Sequence, residues 1–517
     1  MNLLKKISNN RLSIPIILFI FSLSILSFNL EGQGIAIDEW FQHSHTMTMY
    51  DLLIQGKFSD NCITLLGECD TIDHINNCPG PIHRVATGGI ARTLFIGLGD
   101  QFFSDNERKY YTSNELPCRP IHHDLVDRGI NTPTQKELSA ARFFVPIFSA
   151  LSIIISFQIG KVLINKSVGL IFASVLLFHT LWFHFSRTLY YETFLGFFLL
   201  LTILLLIYST HKNKINYKYF IFASIAFAFA INTKPTALEL IPVILGIIFI
   251  HNAWNKQISW KLFHKKRIFY SLFLISIFFS ISLLTLFSIF PYYWPDPIGQ
   301  LSLQIDSLSS TPTVSLESNP LESLIPHVAS VTIMPIIDSF YIIVSPNDLP
   351  ESAEIGHTFS SLPLSLFFII GVGTFFLRIK RKSITTTELV IFIWYVSTYV
   401  ILSLLTATYN ESRHFVPIIF PMILTMSYGL NVFFEGFTKK YIKKLFFSSV
   451  IVVHALTVLI HWELMYFKPD HIWILPENIN LKLSFTDPII ISSSISFVIF
   501  FIYMIYSRKR YFQRKLE

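Results

Sequence analysis

Ten stretches of this chain run for 17 to 23 residues without an Asp, Glu, Lys or Arg: 12–30, 143–160, 167–183, 193–210, 268–290, 358–377, 389–409, 415–434, 445–462 and 488–507. At 1.5 Å of rise per residue, such a run crosses about 30 Å of hydrocarbon as a helix. In lipid each backbone N–H and C=O must be satisfied within its own segment, so a run of this kind has no alternative to the helix short of a closed barrel. Charged residues make up only 14% of the chain, against about 25% in soluble domains, and the mean hydropathy is +0.53. These features exclude an ordinary cytosolic enzyme, a disordered chain and a disulfide miniprotein. They predict an all-α polytopic membrane protein.

Basic residues set the topology. With the N-terminus inside, the alternate segments 1–11, 161–166, 211–218, 251–267, 378–388, 435–444 and 508–517 hold 26 of the 40 Lys and Arg. Short cytoplasmic segments carry that excess. The stretch 219–250 is apolar but broken at Lys234-Pro235 and carries Glu239. Read as one span, it would place every later basic loop outside; read as a hairpin, it keeps them inside. The hairpin gives about twelve transmembrane helices with both termini cytoplasmic. The chain divides into 1–30 (tail and first helix), 31–142 (a long extracytoplasmic loop with interfacial structure), 143–290 (helices 2–7), 291–357 (a second outer loop) and 358–517 (helices 8–12 and a basic tail). The net charge of +7 follows this topology and needs no nucleic acid. The first run is longer than a signal peptide's apolar core and lacks a small-x-small cleavage site, so it is expected to stay as a span.

All four cysteines, Cys62, Cys69, Cys78 and Cys118, fall in the first outer loop. Clustering there reads as two disulfides facing an oxidising compartment, connectivity open, with free thiols or a zinc site as the alternative.

Chemistry-bearing residues gather at the outer ends of the spans. Asp38-Glu39-Trp40 follows the first span; a carboxylate there can take a proton from an attacking hydroxyl, and only one of two neighbours can point into a site. Ser186-Arg187-Thr188-Leu189-Tyr190-Tyr191-Glu192 forms the outer turn between the third and fourth spans. Asn232-Thr233-Lys234-Pro235-Thr236 tips the hairpin, and Tyr409-Asn410-Glu411-Ser412-Arg413-His414-Phe415-Val416-Pro417 opens a later span. Arg187, Lys234, Arg413 and His414 are cations and a histidine on the face that topology does not favour for positive charge. A lipid phosphate would call for them; snorkelling to headgroups is the plainer reading. His83, in Pro79-Gly80-Pro81-Ile82-His83-Arg84, is a further substrate-facing candidate. His43, His45, His122, His123 and Asp124 have no diagnostic ligand spacing, so no metal or other cofactor is expected to be required. The sequon Asn410-Glu411-Ser412 is expected to be unused, since a glycan there would obstruct Arg413.

With these motifs in this order, the chain resembles the GT-C superfamily of polytopic glycosyltransferases, in its protein O-mannosyltransferase-like and aminoarabinose-transferase-like branch. The resemblance implies transfer of a sugar from a polyprenyl-phosphate (dolichyl- or undecaprenyl-phosphate) monosaccharide to an acceptor hydroxyl at the outer face, with inversion. It implies Asp38 as general base with Glu39 its supporting neighbour. Arg413 and Lys234 would be phosphate contacts, and Glu192 would shape the sugar or acceptor site. Partners would be the lipid donor, membrane lipid and a glycan, lipid or protein acceptor. A prokaryotic plasma membrane is the expected location, the endoplasmic reticulum the alternative. The rival functions are a lipid-linked-sugar flippase or transporter, and a glycan polymerase or ligase. The long cysteine-bearing loop and His414 depart from the family pattern.

Overall fold

The structure, a computed structural model, describes residues 13–28, 89–104, 135–210, 215–250, 265–290, 362–405 and 415–435, with isolated positions between 30 and 56, 294 and 299, and 448 and 455. Every regular element among these residues is a helix: α1 (Ser13–Ser27), α2 (Gly89–Phe103), α3 (Gln135–Arg142), α4 (Val145–Leu163), α5 (Lys166–Leu177), α6 (Thr180–Phe185), α7 (Glu192–Thr210), α8 (Tyr217–Thr233), a 3-10 helix (Pro235–Leu240), α9 (Ile241–Phe249), α10 (Lys265–Ile289), α11 (Leu362–Lys380), α12 (Thr386–Leu405) and α13 (Val416–Glu435). Among the described residues, five stretches are long and apolar enough to cross a membrane: Lys136–Leu163, Glu192–Thr210, Ile268–Ile289, Thr386–Ser403 and Val416–Phe434. Among the described residues the fold is helical throughout, that of a polytopic membrane protein. The expected spans at 445–462 and 488–507 lie outside the described residues, apart from four positions in the first of them.

The expected break at Lys234-Pro235 is present. Pro235 disfavours helical geometry in the residue before it, and Lys234 is extended at φ −157°, ψ 131°. A 3-10 segment then starts at Pro235 and runs into α9. Helical structure also occurs within residues 31–142, as α2, α3 and the separate helical positions Glu39, His43, Thr46, Met47 and Tyr50. The last five recur at helical spacing and all are buried, which makes them one inward face.

The described residues form two units. The first draws on 1–155, 184–252 and 261–320, the second on 156–183 and 321–517. In the first, α7 packs on α8, α8 on α10, and α2 on both α3 and α8. Its core joins the outer loop to the spans through Met47, Tyr50, Ile96, Leu138, Val145, Phe148, Leu189 and Phe194. Only 22% of the apolar stretch of α10 is buried. In the second unit, α13 is enclosed by α5, α11 and α12. Its close crossing with α11 depends on missing side chains: a Cβ on Gly429 would lie 1.9 Å from the Phe367 carbonyl oxygen, and one on Gly371 would lie 2.4 Å from that of Thr425. Lipid tails are as apolar as the helix faces, so packing of this closeness has to replace the hydrophobic drive between spans. α12 starts with a reciprocal capping box, in which Thr385 N–H donates to Glu388 Oε2 at 2.9 Å and Glu388 N–H to Thr385 Oγ1 at 3.3 Å.

Candidate functional site

The candidate site lies in the first unit, around the turn that joins α6 to α7. This turn is short and buried, and the peptide groups of Leu189 find their partners outside it. Leu189 N–H donates to Glu39 Oε1 at 2.8 Å. The Leu189 carbonyl accepts from Arg92 through Nε at 3.0 Å and through Nη2. Both side chains come from the outer loop. Glu39 is fully buried and forms a two-pronged pair with Arg142, Nε to Oε1 at 2.7 Å and Nη2 to Oε2 at 2.5 Å. The guanidinium fork matches a carboxylate in this geometry. Arg92 completes its donors on Thr46 Oγ1, at 2.6 Å from Nη1.

Arg187 points the other way. Its Nη1 donates to the carbonyls of Ile25 (3.2 Å) and Leu26 (3.3 Å), and its Nη2 to that of Phe28 (2.6 Å). Ile25 and Leu26 lie in the last turn of α1 and Phe28 is the residue after Ser27, where carbonyls run short of partners within the helix. The side chain is therefore a C-terminal cap on the first span, and its positive charge suits the negative end of the helix.

At the end of the turn, Glu192 Oε1 pairs with Lys234 Nζ at 3.3 Å, both side chains buried. The ammonium also lies 4.7 Å from the Tyr191 ring centre, within cation–π range. The hairpin tip is held independently: Asn232 Oδ1 accepts from Ile90 N–H at 2.9 Å. Gly89 packs there with φ +81°, and a Cβ on it would meet Asn232 at 2.7 Å. Glu239 is buried in the 3-10 segment beyond Lys234, its Oε2 without a hydrogen-bond partner among the described residues.

Electrostatics tie these groups into one cluster. Burial lowers the Arg92 guanidinium to about 10, opposed by the charges of Glu192, Tyr191 and Glu39. Burial and then the charge of Arg142 lower Arg187 to about 10. Both remain cations at neutral pH. His184, buried beside Tyr190 and Phe185, is pushed down to about 3 by burial and by Arg142, so it is a neutral ring. Around this turn the described residues thus supply four cations, Arg92, Arg142, Arg187 and Lys234, against the carboxyls of Glu39, Glu192 and Glu239. The surplus of positive charge, little screened in a buried place, favours an anion.

The sequence candidates Glu39, Arg187, Glu192 and Lys234 come together here. Asp38, His83, Arg413 and His414 lie outside the described residues, as do Cys62, Cys69, Cys78 and Cys118. Among the described residues no three His, Cys, Asp or Glu side chains gather as a metal site; His43 instead faces Asp100 at 3.6 Å, both buried. Arg92, Arg142 and His184 were not singled out by sequence. Arg142 had a usable signal, since it too is a cation at the outer end of a span. Arg92 had none.

Residues 120–282, about a third of the chain, match the dolichyl-phosphate-mannose-protein mannosyltransferase family. The match takes in Arg142, Arg187, Glu192 and Lys234. This part of the chain is thus similar to a family of membrane mannosyltransferases. Among solved structures, the chain is similar to the Archaeoglobus fulgidus oligosaccharyltransferase in the apo form, with 12% identity, a TM-score of 0.46, and coverage of 86% of this chain and 56% of that one. It is also similar to ArnT from Cupriavidus metallidurans, with 11% identity and coverage of 95% and 71%. The TM-scores there are 0.47 for the undecaprenyl phosphate-bound structure and 0.49 for the apo state. The chain thus spans little more than half the length of the archaeal enzyme. No curated protein sequence matches it.

Proposed function

We propose that this chain is a glycosyltransferase of the GT-C superfamily and transfers a sugar from a polyprenyl-phosphate monosaccharide to an acceptor hydroxyl, at the extracytoplasmic ends of twelve spans whose termini are both cytoplasmic. The observation that carries the reading is the buried cationic surplus around Leu189. A lipid-linked phosphate ester is an anion that reaches such a place from the bilayer, and the phosphate released on transfer needs charge stabilisation more than protonation. The family match supports the reaction class, and the lipid named with the Cupriavidus structure is in keeping with the donor.

In the proposed step the acceptor hydroxyl attacks the anomeric carbon while the bond from that carbon to the phosphate oxygen breaks. The base takes the hydroxyl proton and the polyprenyl phosphate leaves with the electron pair; one displacement inverts the anomeric centre. Both Glu39 oxygens are engaged by Arg142, and Oε1 by Leu189 N–H as well. That leaves its neighbour Asp38 as the general base. Arg413 and Lys234 are the proposed phosphate contacts, while Glu192, His414 and His83 contribute to the substrate site. The outer face of a prokaryotic plasma membrane is the proposed location.

The test is transfer from a panel of radiolabelled polyprenyl-phosphate monosaccharides by purified protein in lipid, beside Asp38→Asn. Turnover of one donor by the wild type alone is expected. Equal turnover by Asp38→Asn would remove the base assignment. A strict requirement for a lipid diphosphate oligosaccharide would favour a polymerase or ligase.

A further inference from the structure

We propose that Arg92 and Arg142 are positioning residues for transfer, acting through the main chain of Leu189. The inference rests on the transfer reading above and concerns two residues that belong to none of the sequence motifs.

The two groups of Leu189 are held from opposite sides. Arg92 grips the carbonyl directly, and Arg142 reaches the N–H through the Glu39 carboxylate. Arg92, Arg142, Glu39 and Thr46 are all fully buried. Each arginine uses its planar fork, a geometry that lysine cannot reproduce. The object held is a turn, which would otherwise be the softest part of the α6–α7 connection. Leu189 lies three residues before Glu192, whose carboxylate holds Lys234. Glu39 is covalently next to Asp38. One clamp therefore holds Glu39 and the Glu192–Lys234 pair in a common frame. Neither arginine needs to touch substrate for this role.

A purely scaffolding role makes different kinetics, so the test uses Arg92→Lys, Arg142→Lys, their double variant and Thr46→Val. Thr46→Val removes only the far anchor of Arg92 and keeps all charges. The full chain in lipid is assayed with the donor that the wild type uses, and folding is checked by thermal melting. Misplacing reacting groups by 1 Å costs about 100-fold in rate. Each lysine variant is therefore expected to lose on the order of 100-fold in kcat, with donor KM within about threefold of wild type. Thr46→Val should lose several-fold in the same direction. The double variant should fall no further than the worse single one, since both arginines hold one peptide. The acidic limb of the kcat–pH profile should stay in place, because the base is unchanged.

Folded variants with wild-type kcat, or a loss confined to donor KM, would overturn the inference. If the lysine variants do not fold, Thr46→Val decides: an unchanged kcat overturns the inference, a several-fold loss supports it. A wild type that transfers no sugar from any donor defeats the transfer reading and this inference together. An active wild type with indifferent variants defeats only this inference.

Discussion

Arg187 separates two accounts of the outer cations, and replacing it tells them apart. Seen from sequence it is a phosphate ligand; seen in the structure it caps α1. Its Nη1 is shared between the Ile25 and Leu26 carbonyls, and its Nη2 makes a short bond to Phe28. Counting the shared donor once gives two hydrogen bonds from a charged group, each worth about 1.5–3 kcal/mol. Arg187→Ala should therefore lose about 3–6 kcal/mol of stability, and Arg187→Lys, which reaches one carbonyl, about half of that. The assay is reversible SDS unfolding in mixed micelles, followed by circular dichroism, with donor KM measured on the folded fraction. Stability should fall steeply in Arg187→Ala while donor KM moves little. A stability loss below about 1 kcal/mol combined with a tenfold rise in donor KM would refute the capping argument and restore the phosphate role.

Further perturbations should behave as follows. Lys234→Met strands the Glu192 carboxylate in a buried site and should cost about 3–5 kcal/mol; adding Glu192→Gln should recover most of it in the same unfolding assay. His184 is lowered from 6.5 to about 3, so between those values the unfolded chain holds the extra proton. Its contribution to stability is complete above pH 6.5 and is lost as pH falls toward 3, at up to tenfold in the unfolding constant per pH unit. His184→Phe should flatten that window, which equilibrium unfolding across pH 4 to 7 would show. Gly429→Val needs the α11 backbone to move away from a Cβ that would sit 1.9 Å from the Phe367 oxygen. It should destabilise by more than the usual 1–3 kcal/mol of overpacking, seen as loss of folded protein in detergent.

How much was legible in the sequence depended on the range of each interaction. Helix existence is local: α4, α7, α10, α12 and α13 stand where charge-free runs placed them, and the Lys234-Pro235 break follows from proline's effect on its neighbour. The outer cations were visible because membrane topology makes a positive charge there conspicuous. Their partners were not visible. Arg142 and Glu39 are 103 residues apart, Arg92 and Leu189 97, and Arg187 and Phe28 159. A spacing argument sees one element at a time, so Arg187 read as a ligand for phosphate when its acceptors are the carbonyls at the end of another helix. Arg92 carried no signal at all, lying in a long loop where a cation is unremarkable.

Leu189 works through atoms that every amino acid but one possesses. Its side chain serves the core, and any apolar residue of similar bulk can do that; its N–H and carbonyl do the holding. Proline alone lacks the donor, so it alone would release Glu39 from the turn whatever its shape. A search for functional positions by side-chain identity would pass over this residue, although three segments of the chain converge on it. In this protein the most constrained point of the site is a peptide unit, and its tolerance to substitution, with proline as the exception, is the signature to look for.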